Sequence, residues 1–288
     1  MKNLASPKVV REIIERYGFR FNKKLGQNFL VDQNILNKIV EGAGISDEDQ
    51  VLEVGPGIGT LTAALARRAK QVIAVELDDQ LIPILRETLG DYDNVEVVHG
   101  DILKLSIKDL LQKHFGSGTI KVVANLPYYV TTPIVMMFLE EDLPLDSLTI
   151  MVQREVAERM KASPGGKDYG ALTVAVQYYA KPAIIATVPP TVFMPPPNVD
   201  SVVIRLELLE EPSVHVEDKQ LFFQVVHAAF GKRRKTLLNA LSASSLGFQK
   251  DTLLELLSAA GIDGRRRGET LSLQEFADIT NVLIKYKS

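Results

Sequence analysis

Short apolar runs alternate with helical stretches through the first two thirds of the chain. The runs are rich in β-branched residues and lie at residues 51–54, 72–76, 95–99, 120–124 and 148–153, and helices are predicted between them at residues 60–69, 79–89 and 107–114. Strands that alternate with helices predict an α/β fold, in which a parallel sheet carries helices on both faces. Further strands are predicted at residues 171–179, 183–188 and 202–208.

The two ends of the chain differ from this alternating region. Ser6 and Pro7 predict the start of a helix that ends at Gly18, and a polar, glycine-containing loop follows at residues 21–30. After Glu210 the strand-like alternation stops, and helices are predicted at residues 220–230, 232–242, 251–260 and 272–286. We therefore predict two domains: a sheet domain at residues 1–210, of which residues 1–30 are the N-terminal helix and loop, and an all-helical domain at residues 211–288.

The composition excludes several kinds of site. None of the 288 residues is cysteine, so the chain has no disulfide, Cys-based zinc site, iron–sulfur cluster or cysteine nucleophile. Its four histidines lack close metal-ligand spacing, and no metal site is predicted. The sequence shows neither an apolar signal segment nor a run of about 18 apolar residues, so we expect no membrane span and a cytoplasmic location.

Basic residues are concentrated towards the two ends of a chain whose formal net charge is −3. Residues 1–30 carry seven Lys and Arg against two Asp and Glu, and residues 231–267 carry eight against three. This distribution fits contacts with a polyanion, and solvated helix faces are the alternative. The candidates for phosphate contacts are Lys232, Arg233, Arg234 and Lys235 at a predicted helix start, and Arg265, Arg266 and Arg267 in a glycine-bounded loop.

A glycine-rich turn follows the first strand of the alternating region. Gly55, Gly57 and Gly59 link that strand to a helix with the spacing G-x-G-x-G. Glycine has no Cβ, so a ligand can approach the backbone closely. The G-x-G-x-x-G spacing that cradles a pyrophosphate is absent, which favours S-adenosylmethionine, a nucleoside cofactor without phosphate, over NAD. NAD binding is the alternative that this half of the sequence leaves open.

Acidic residues end the next two predicted strands. Glu76 closes residues 72–76, and Asp101 follows residues 95–99. Ligands of open α/β sheets bind at the carboxyl ends of the strands. We therefore predict that Glu76 accepts hydrogen bonds from the ribose hydroxyls of the cofactor and that Asp101 accepts one from its adenine amine.

The fourth strand leads into Asn125-Leu126-Pro127-Tyr128-Tyr129, which resembles the N-[LI]-P-[FY] motif of methyltransferases that act on amino groups. The lone pair of an adenine N6 is delocalised into the ring, so the amine is a weak nucleophile. The Asn125 side-chain oxygen and the Leu126 carbonyl are candidates to accept from its hydrogens and favour a pyramidal nitrogen. Pro127 stiffens the turn, and Tyr128 can stack on an extruded adenine. The structural alternative is an ordinary turn.

A second aromatic candidate is Phe193, which precedes three consecutive prolines, Pro195 to Pro197. The prolines stiffen the segment. We predict that Phe193 covers the other face of the adenine, and a rigid connector with a packing phenylalanine is the alternative.

Taken together, the motifs closely resemble the KsgA-type 16S rRNA adenine dimethyltransferases along essentially the whole chain. The matching segments are residues 25–30 (LGQNFL), 52–59 (LEVGPGIG), 125–129 (NLPYY), 193–201 (FMPPPNVDS) and 230–237 (FGKRRKTL). The resemblance implies a Rossmann-like class I methyltransferase sheet that binds S-adenosylmethionine, with a small helical rRNA-binding domain after it. It also implies that Gln27, Asn28, Leu30, Gly55, Glu76, Asp101 and Asn125 line the cofactor site, with Gln27 and Asn28 closing over the methionine end.

The same resemblance implies a substrate and a partner. The substrate is a pair of adjacent adenosines in the 3′-terminal hairpin loop of 16S rRNA, each dimethylated on N6. The partner is an immature small ribosomal subunit, loss of activity gives kasugamycin resistance, and the free enzyme is expected to be a monomer. Four alternatives stay open: an Erm-type 23S rRNA adenine methyltransferase, a non-catalytic RNA-binding derivative of the fold, an NAD-dependent oxidoreductase and a DNA adenine methyltransferase.

Overall fold

The computed structural model describes residues 3–22, 25–116, 118–232 and 234–287. The chain forms two compact units, one made of Met1–Ala157 with Ala183–Leu208 and the other of Glu158–Pro182 with Leu209–Ser288. The structure thus differs from the single boundary predicted at residue 210, because Glu158–Pro182 belongs to the second unit. The reason is local: this segment carries apolar residues that belong to the core of the second unit, as described below.

The first unit begins with the helix α1 (Pro7–Tyr17) and a short strand, β1 (Phe29–Leu30). Proline at the first helical position starts α1, and Gly18, in the left-handed conformation at φ 59°, ends it. Strand β1 pairs antiparallel with β8 (Phe193–Met194), so the loop before β1 is anchored by backbone hydrogen bonds. Helix α2 (Gln33–Gly42) follows, and its N-cap side chain, Asp32, accepts from the Ile35 amide.

The main sheet has seven strands in the order β4-β3-β2-β5-β6-β9-β7. Their bounds are β2 Gln50–Val54, β3 Gln71–Glu76, β4 Val95–His99, β5 Ile120–Asn125, β6 Leu145–Gln153, β7 Ala180–Val188 and β9 Ser201–Leu208. The α/β fold class is confirmed, and β2 to β6 are parallel as predicted. Strand β9 runs antiparallel to β6, so the seven-stranded sheet is mixed. Residues 189–200, which connect β7 to β9, hold a 3-10 turn and β8.

Six helices alternate with the strands of the sheet or follow them. They are α3 (Thr60–Ala66), α4 (Leu81–Thr88), α5 (Ile107–His114), α6 (Thr131–Glu140), α7 (Arg154–Lys161) and α8 (Ala171–Tyr179). The strand predicted at residues 171–179 is wrong, because the structure has α8 there. Six of its nine residues are buried, so no polar face marks the helical period and the run looks like a strand.

The second unit is helical and has its own core. After α8 it contains α9 (Lys219–Phe230), α10 (Leu237–Ser242), α11 (Lys250–Ala259) and α12 (Leu273–Lys287). Tyr169, Val174 and Tyr178 belong to the same buried cluster as residues of these four helices. The helix predicted at residues 232–242 begins only at Leu237, because the Thr236 side chain caps it by accepting from the Asn239 amide. Within the described ranges, no helix is long and apolar enough to cross a membrane.

Candidate active site

A cavity of about 250 Å³ lies where β2, β3, β4 and β5 end, inside the first unit. Parallel strands bring their carboxyl ends to one edge of the sheet, and for this reason residues that are far apart in sequence meet there. The predicted site residues that line the cavity are Gln27, Asn28, Leu30, Gly55, Gly57, Glu76, Asp101, Asn125, Leu126, Pro127 and Tyr128. Two others, Gly59 and Phe193, do not line it.

The three glycines of the turn all have positive φ, at 70° for Gly55, 61° for Gly57 and 89° for Gly59. This conformation strains any residue with a Cβ. A Cβ on Gly57 would lie 3.0 Å from the ring of Phe29, so Gly57 lets that ring close against the turn. A Cβ on Gly59 would lie 3.0 Å from the Leu89 side chain. The structure therefore places Gly59 in the packing at the start of α3, behind the cavity wall.

Glu76, the residue predicted to bind the ribose, is held in place by backbone amides. Its carboxylate accepts from the Gly57 amide at 3.2 Å through Oε2 and from the Asp78 amide at 2.8 Å through Oε1. These bonds fix the carboxylate at the end of β3, facing the glycine turn. Burial is the main reason why the pKa of Glu76 is raised to about 7. The Asp78 carboxylate acts in the same direction, and backbone hydrogen bonds from Asp78, Gly57 and Leu77 act against it.

Because the carboxylate is the form that accepts from two hydroxyls, cofactor affinity should depend on pH. A pKa of about 7 means that Glu76 binds a proton as the pH falls through 7. We expect S-adenosylmethionine to bind about tenfold more tightly at pH 8 than at pH 6, as measured by titration calorimetry.

Two variants control this pH experiment. In Glu76→Gln the affinity should be lower at every pH, and the step near pH 7 should be lost. Glu53 is a second buried acid on the cavity wall, and burial raises its pKa to about 8. Glu53→Gln should therefore keep the step near pH 7. A step that persists in Glu76→Gln and disappears in Glu53→Gln would show that Glu53, and not Glu76, is the group whose titration controls cofactor affinity.

Asp101 lies at the next strand end and faces the cavity. Its Oδ1 accepts from the Leu103 amide at 3.1 Å, and its Oδ2 lies 3.2 Å from the ammonium of Lys104, which is exposed. A carboxylate has about four acceptor positions, so capacity is left for an adenine amine.

The N-terminal segment reaches over the same cavity. The side-chain nitrogen of Gln27 donates to Asp78 Oδ2 at 2.6 Å, which ties the segment to the loop after β3. The Asn28 carbonyl accepts from the Asn125 side-chain nitrogen at 3.1 Å, which ties it to the end of β5. Leu30 follows in β1 and is buried. The structure therefore brings the predicted Gln27, Asn28 and Leu30 to the wall of the cavity.

The hydrogen bond to Asn28 also orients the Asn125 amide. Because Nδ2 donates to that carbonyl, Oδ1 is the acceptor end of the amide. Leu126 is buried, and its own N–H donates to the Met151 carbonyl of β6 at 3.3 Å. The Tyr128 hydroxyl is 2.6 Å from Ser201 Oγ, which fixes the ring, and burial raises the pKa of Tyr128. The Tyr128 ring and the Asn125 side-chain oxygen are thus each oriented by a hydrogen bond.

Phe193 lies outside this group. It is only 5% exposed and packs in the apolar cluster of the first unit, which includes Leu30 and Val188. In the β1–β8 pair it is opposite Leu30, which does line the cavity. The structure places the Phe193 ring behind the cavity wall, where it does not face the cavity. Its role in stacking on the adenine stays a prediction.

Sequence reasoning missed several cavity residues. Leu77 and Leu103 line the cavity and are 44% and 41% exposed, so they offer apolar surface for a purine. Leu77 directly follows Glu76, and Leu103 comes two positions after Asp101, so their closeness to the predicted acids could be seen in the sequence. Glu53 was also missed, although an acid inside an apolar strand just before a glycine turn is unusual. Its Oε2 accepts no hydrogen bond from the part of the chain that the structure describes.

Comparison with known proteins agrees with this geometry. The family described as "Ribosomal RNA adenine dimethylase" matches residues 18–285. The chain is 58% identical over 285 residues to a protein of Alkaliphilus oremlandii named ribosomal RNA small subunit methyltransferase A, with 99% of both chains covered. It is 52% identical over 284 residues to the protein of that name from Clostridioides difficile, with 98% of both chains covered. The chain belongs to the ribosomal RNA adenine dimethylase family.

Solved structures support the same assignment. A dimethyladenosine transferase from Plasmodium falciparum has a TM-score of 0.74 at 27% identity, and the match covers 87% of this chain and 95% of that one. The 23S rRNA methyltransferase ErmE has a TM-score of 0.67 at 26% identity, with 89% and 100% covered. This dimethylase is an enzyme that uses S-adenosylmethionine, and the glycine turn, the buried Glu76 carboxylate and the exposed leucines suit an adenosine cofactor.

The predicted RNA-binding residues of the dimethylase lie in its second unit. Lys232, Arg234 and Lys235 are exposed, whereas Arg233 lies outside the described residues. Arg265 is exposed and pairs with Asp263 at 2.8 Å.

The remaining two arginines differ in how they are engaged. Arg266 donates to both carboxylate oxygens of Glu275 and to the Thr270 carbonyl, so most of its donors hold its own loop together. Arg267 is 4.0 Å from Glu269. Over the described ranges, no group of three or more His, Asp or Glu side chains is arranged to hold a metal ion.

Proposed function

We propose that the chain dimethylates N6 of two adjacent adenosines in the 3′-terminal hairpin loop of 16S rRNA, within an immature small ribosomal subunit. Its relatives at 51–58% identity are named ribosomal RNA small subunit methyltransferase A, which supports the small subunit as the substrate. The observation that carries the proposal is the Asn125 amide, whose nitrogen is engaged by the Asn28 carbonyl so that its oxygen can accept from an amine. We further propose that the free enzyme is a cytoplasmic monomer without a bound metal.

The residues of the chain position the reacting amine. S-adenosylmethionine, when bound, supplies a methyl group on a positively charged sulfur. Asn125 Oδ1 and the Leu126 carbonyl accept from the two N6 hydrogens, which localises the nitrogen lone pair. Tyr128, fixed through Ser201, stacks on the extruded adenine. Holding N6 in line with the methyl supplies a large share of the rate enhancement.

The proton balance needs no strong base in the site. As the bond from N6 to the methyl carbon forms, the bond from that carbon to sulfur breaks and N6 becomes cationic. A cationic N6 is acidic, so its proton passes to water. The second methyl transfer would require exchange of the spent cofactor for another S-adenosylmethionine, and because N6 then carries one hydrogen, it engages only one of the two acceptors. Because Glu76 and Asp101 face the cofactor side, we assign them to binding.

The alternative substrate is 23S rRNA, because the structure is also similar to that of the 23S rRNA methyltransferase ErmE. Small and large ribosomal subunits should be prepared from cells that lack this protein and incubated with enzyme and labelled S-adenosylmethionine. We expect label in two adjacent adenosines near the 3′ end of 16S rRNA, identified by mass spectrometry as N6,N6-dimethyladenosine. Label in the large subunit would replace this proposal with the Erm-type activity, and absence of any label would contradict methyl transfer altogether.

The exposed basic residues before α10 should contribute to subunit binding. In a Lys232→Glu, Arg234→Glu double variant we expect at least tenfold weaker binding to the small subunit and a shallower dependence of affinity on salt concentration, measured by filter binding between 50 and 200 mM salt. Cofactor affinity should be unchanged, because both residues lie outside the cavity.

A matched control for this prediction is Arg67→Glu, Arg68→Glu. These two residues are exposed at the end of α3, and the substitution changes the net charge by the same amount. If both double variants lose the same affinity, the effect is one of total charge, and the assignment of a phosphate-contacting surface before α10 is wrong.

A further inference from the structure

Tyr129 is an exposed aromatic residue at the cavity whose place in the turn differs from that of Tyr128. It lines the cavity and is 55% exposed. Tyr128–Val130 form a 3-10 turn, closed by the Val130 amide donating to the Pro127 carbonyl at 3.2 Å. Successive residues of a 3-10 turn point about 120° apart. Tyr128 is directed to Ser201, so Tyr129 points elsewhere and keeps more than half of its surface in solvent.

The ring of Tyr129 lies beside the backbone of the N-terminal segment. A Cβ added to Gly26 would lie 3.6 Å from Tyr129 Cδ1 and 3.8 Å from Cε1, and 3.5 Å from Pro127 Cβ. One edge of the ring therefore borders the backbone of Gly26. Gly26 has φ 60°, a conformation that favours glycine, and its carbonyl accepts from the Asn28 side chain at 3.0 Å. An aromatic ring with open surface therefore lies at the cavity mouth, next to Tyr128 and the turn proposed to hold the target base.

A base taken into the cavity leaves its neighbours without a stacking partner. The nucleotide next to the extruded adenosine is joined to it by a single phosphodiester, so it must lie at the cavity mouth. Proteins that bind unpaired nucleotides commonly stack such bases on aromatic side chains. This inference rests on the proposed function: we propose that Tyr129 stacks on the base adjacent to the adenosine in the cavity and so positions the pair of target nucleotides.

The test combines two variants with an altered substrate. Tyr129→Phe keeps the ring, and Tyr129→Leu keeps apolar volume beside Gly26 without an aromatic face. Small subunits are reconstituted with 16S rRNA that carries either the natural sequence or an abasic site at one neighbour of the target adenosine, on each side in turn. KM and kcat for the first methyl transfer are measured for each pair, and the cofactor Kd is measured by calorimetry.

We expect Tyr129→Leu to raise KM for natural subunits about tenfold, with the cofactor Kd unchanged and kcat reduced less than threefold. Tyr129→Phe should retain the wild-type KM. An abasic neighbour on one side should raise the wild-type KM by a similar factor and have no further effect in Tyr129→Leu, because the same contact is already lost.

Two results would overturn the inference. If Tyr129→Leu weakens cofactor binding as much as it raises KM, the ring only supports the Gly26 segment. The second result is a KM of Tyr129→Leu that equals the wild-type KM, or that exceeds it by the same factor on natural and on abasic subunits. In either case Tyr129 makes no contact with the neighbouring base. Failure of the proposed function is seen separately, because wild-type enzyme would then transfer no methyl group to natural small subunits.

Discussion

Asn125→Ala is expected to lower kcat for methyl transfer to small subunits by about 100- to 1000-fold, the range seen when one preorganised polar contact to a reacting group is removed. The side-chain oxygen of Asn125 is held as an acceptor by the bond between its nitrogen and the Asn28 carbonyl. Without it the N6 hydrogens lose one of two acceptors, and the nitrogen stays conjugated with the ring. Single-turnover transfer of tritiated methyl groups measures the chemical step directly.

Asn37→Ala is the matched control for Asn125→Ala. Asn37 lies on the exposed side of α2, where its side-chain oxygen accepts from Gln33, and its loss should leave kcat unchanged. The cofactor Kd of Asn125→Ala should rise by no more than a few-fold, since the Gln27–Asp78 bond still holds the N-terminal segment. Full-speed transfer in Asn125→Ala would contradict the proposed chemistry, whatever the substrate RNA is.

Glu76→Ala should raise the Kd for S-adenosylmethionine by at least about 100-fold, because charge-assisted hydrogen bonds to a buried carboxylate contribute roughly 1.5–3 kcal/mol each and the ribose offers two hydroxyls. The substitution removes the acceptor for the ribose and also frees the Gly57 and Asp78 amides that the carboxylate holds. Titration calorimetry with S-adenosylmethionine measures the loss, and circular dichroism establishes that the variant is folded.

Asp79→Asn provides the comparison for this variant. Asp79 is three residues away, exposed, and outside the cavity, so its neutralisation should leave the Kd within twofold of wild type by the same calorimetric measurement. Equal losses in the two variants would show that the cofactor senses the net charge of the loop. No loss in Glu76→Ala would remove Glu76 from the cofactor site.

The sheet and its cofactor edge could be predicted because the governing signals are local. Strands β2 to β5 are apolar runs of strand length, and the glycine turn and the acids at two strand ends follow them directly in sequence. Parallel topology then brings Glu76, Asp101 and Asn125 together without further information. The first-unit core follows from the same alternation.

The errors have a common physical origin in burial. Helix α8 reads as a strand because it is buried on most sides, and its assignment to the second unit depends on tertiary packing that no local pattern records. The stacking role of Phe193 stays a prediction, because the burial of its ring depends on the pairing of β8 with β1, two segments far apart in sequence. Glu53, Leu77 and Tyr129 were missed although each lies next to a motif residue in the sequence. The burial of Glu53 and the exposure of Leu77 and Tyr129 depend on distant residues, which the sequence does not record.

Because Glu158–Pro182 belongs to the helical unit, that unit is made of two separate stretches of the chain. This limits how the protein can be truncated or recombined. A fragment that begins at residue 211 would omit Tyr169, Val174 and Tyr178, three members of the buried cluster of the helical unit. Such a fragment should fail to fold independently, and exchanging only the C-terminal helices between relatives should give unstable hybrids. A workable chimera must exchange both stretches at once, with its junctions at residues 157, 183 and 208.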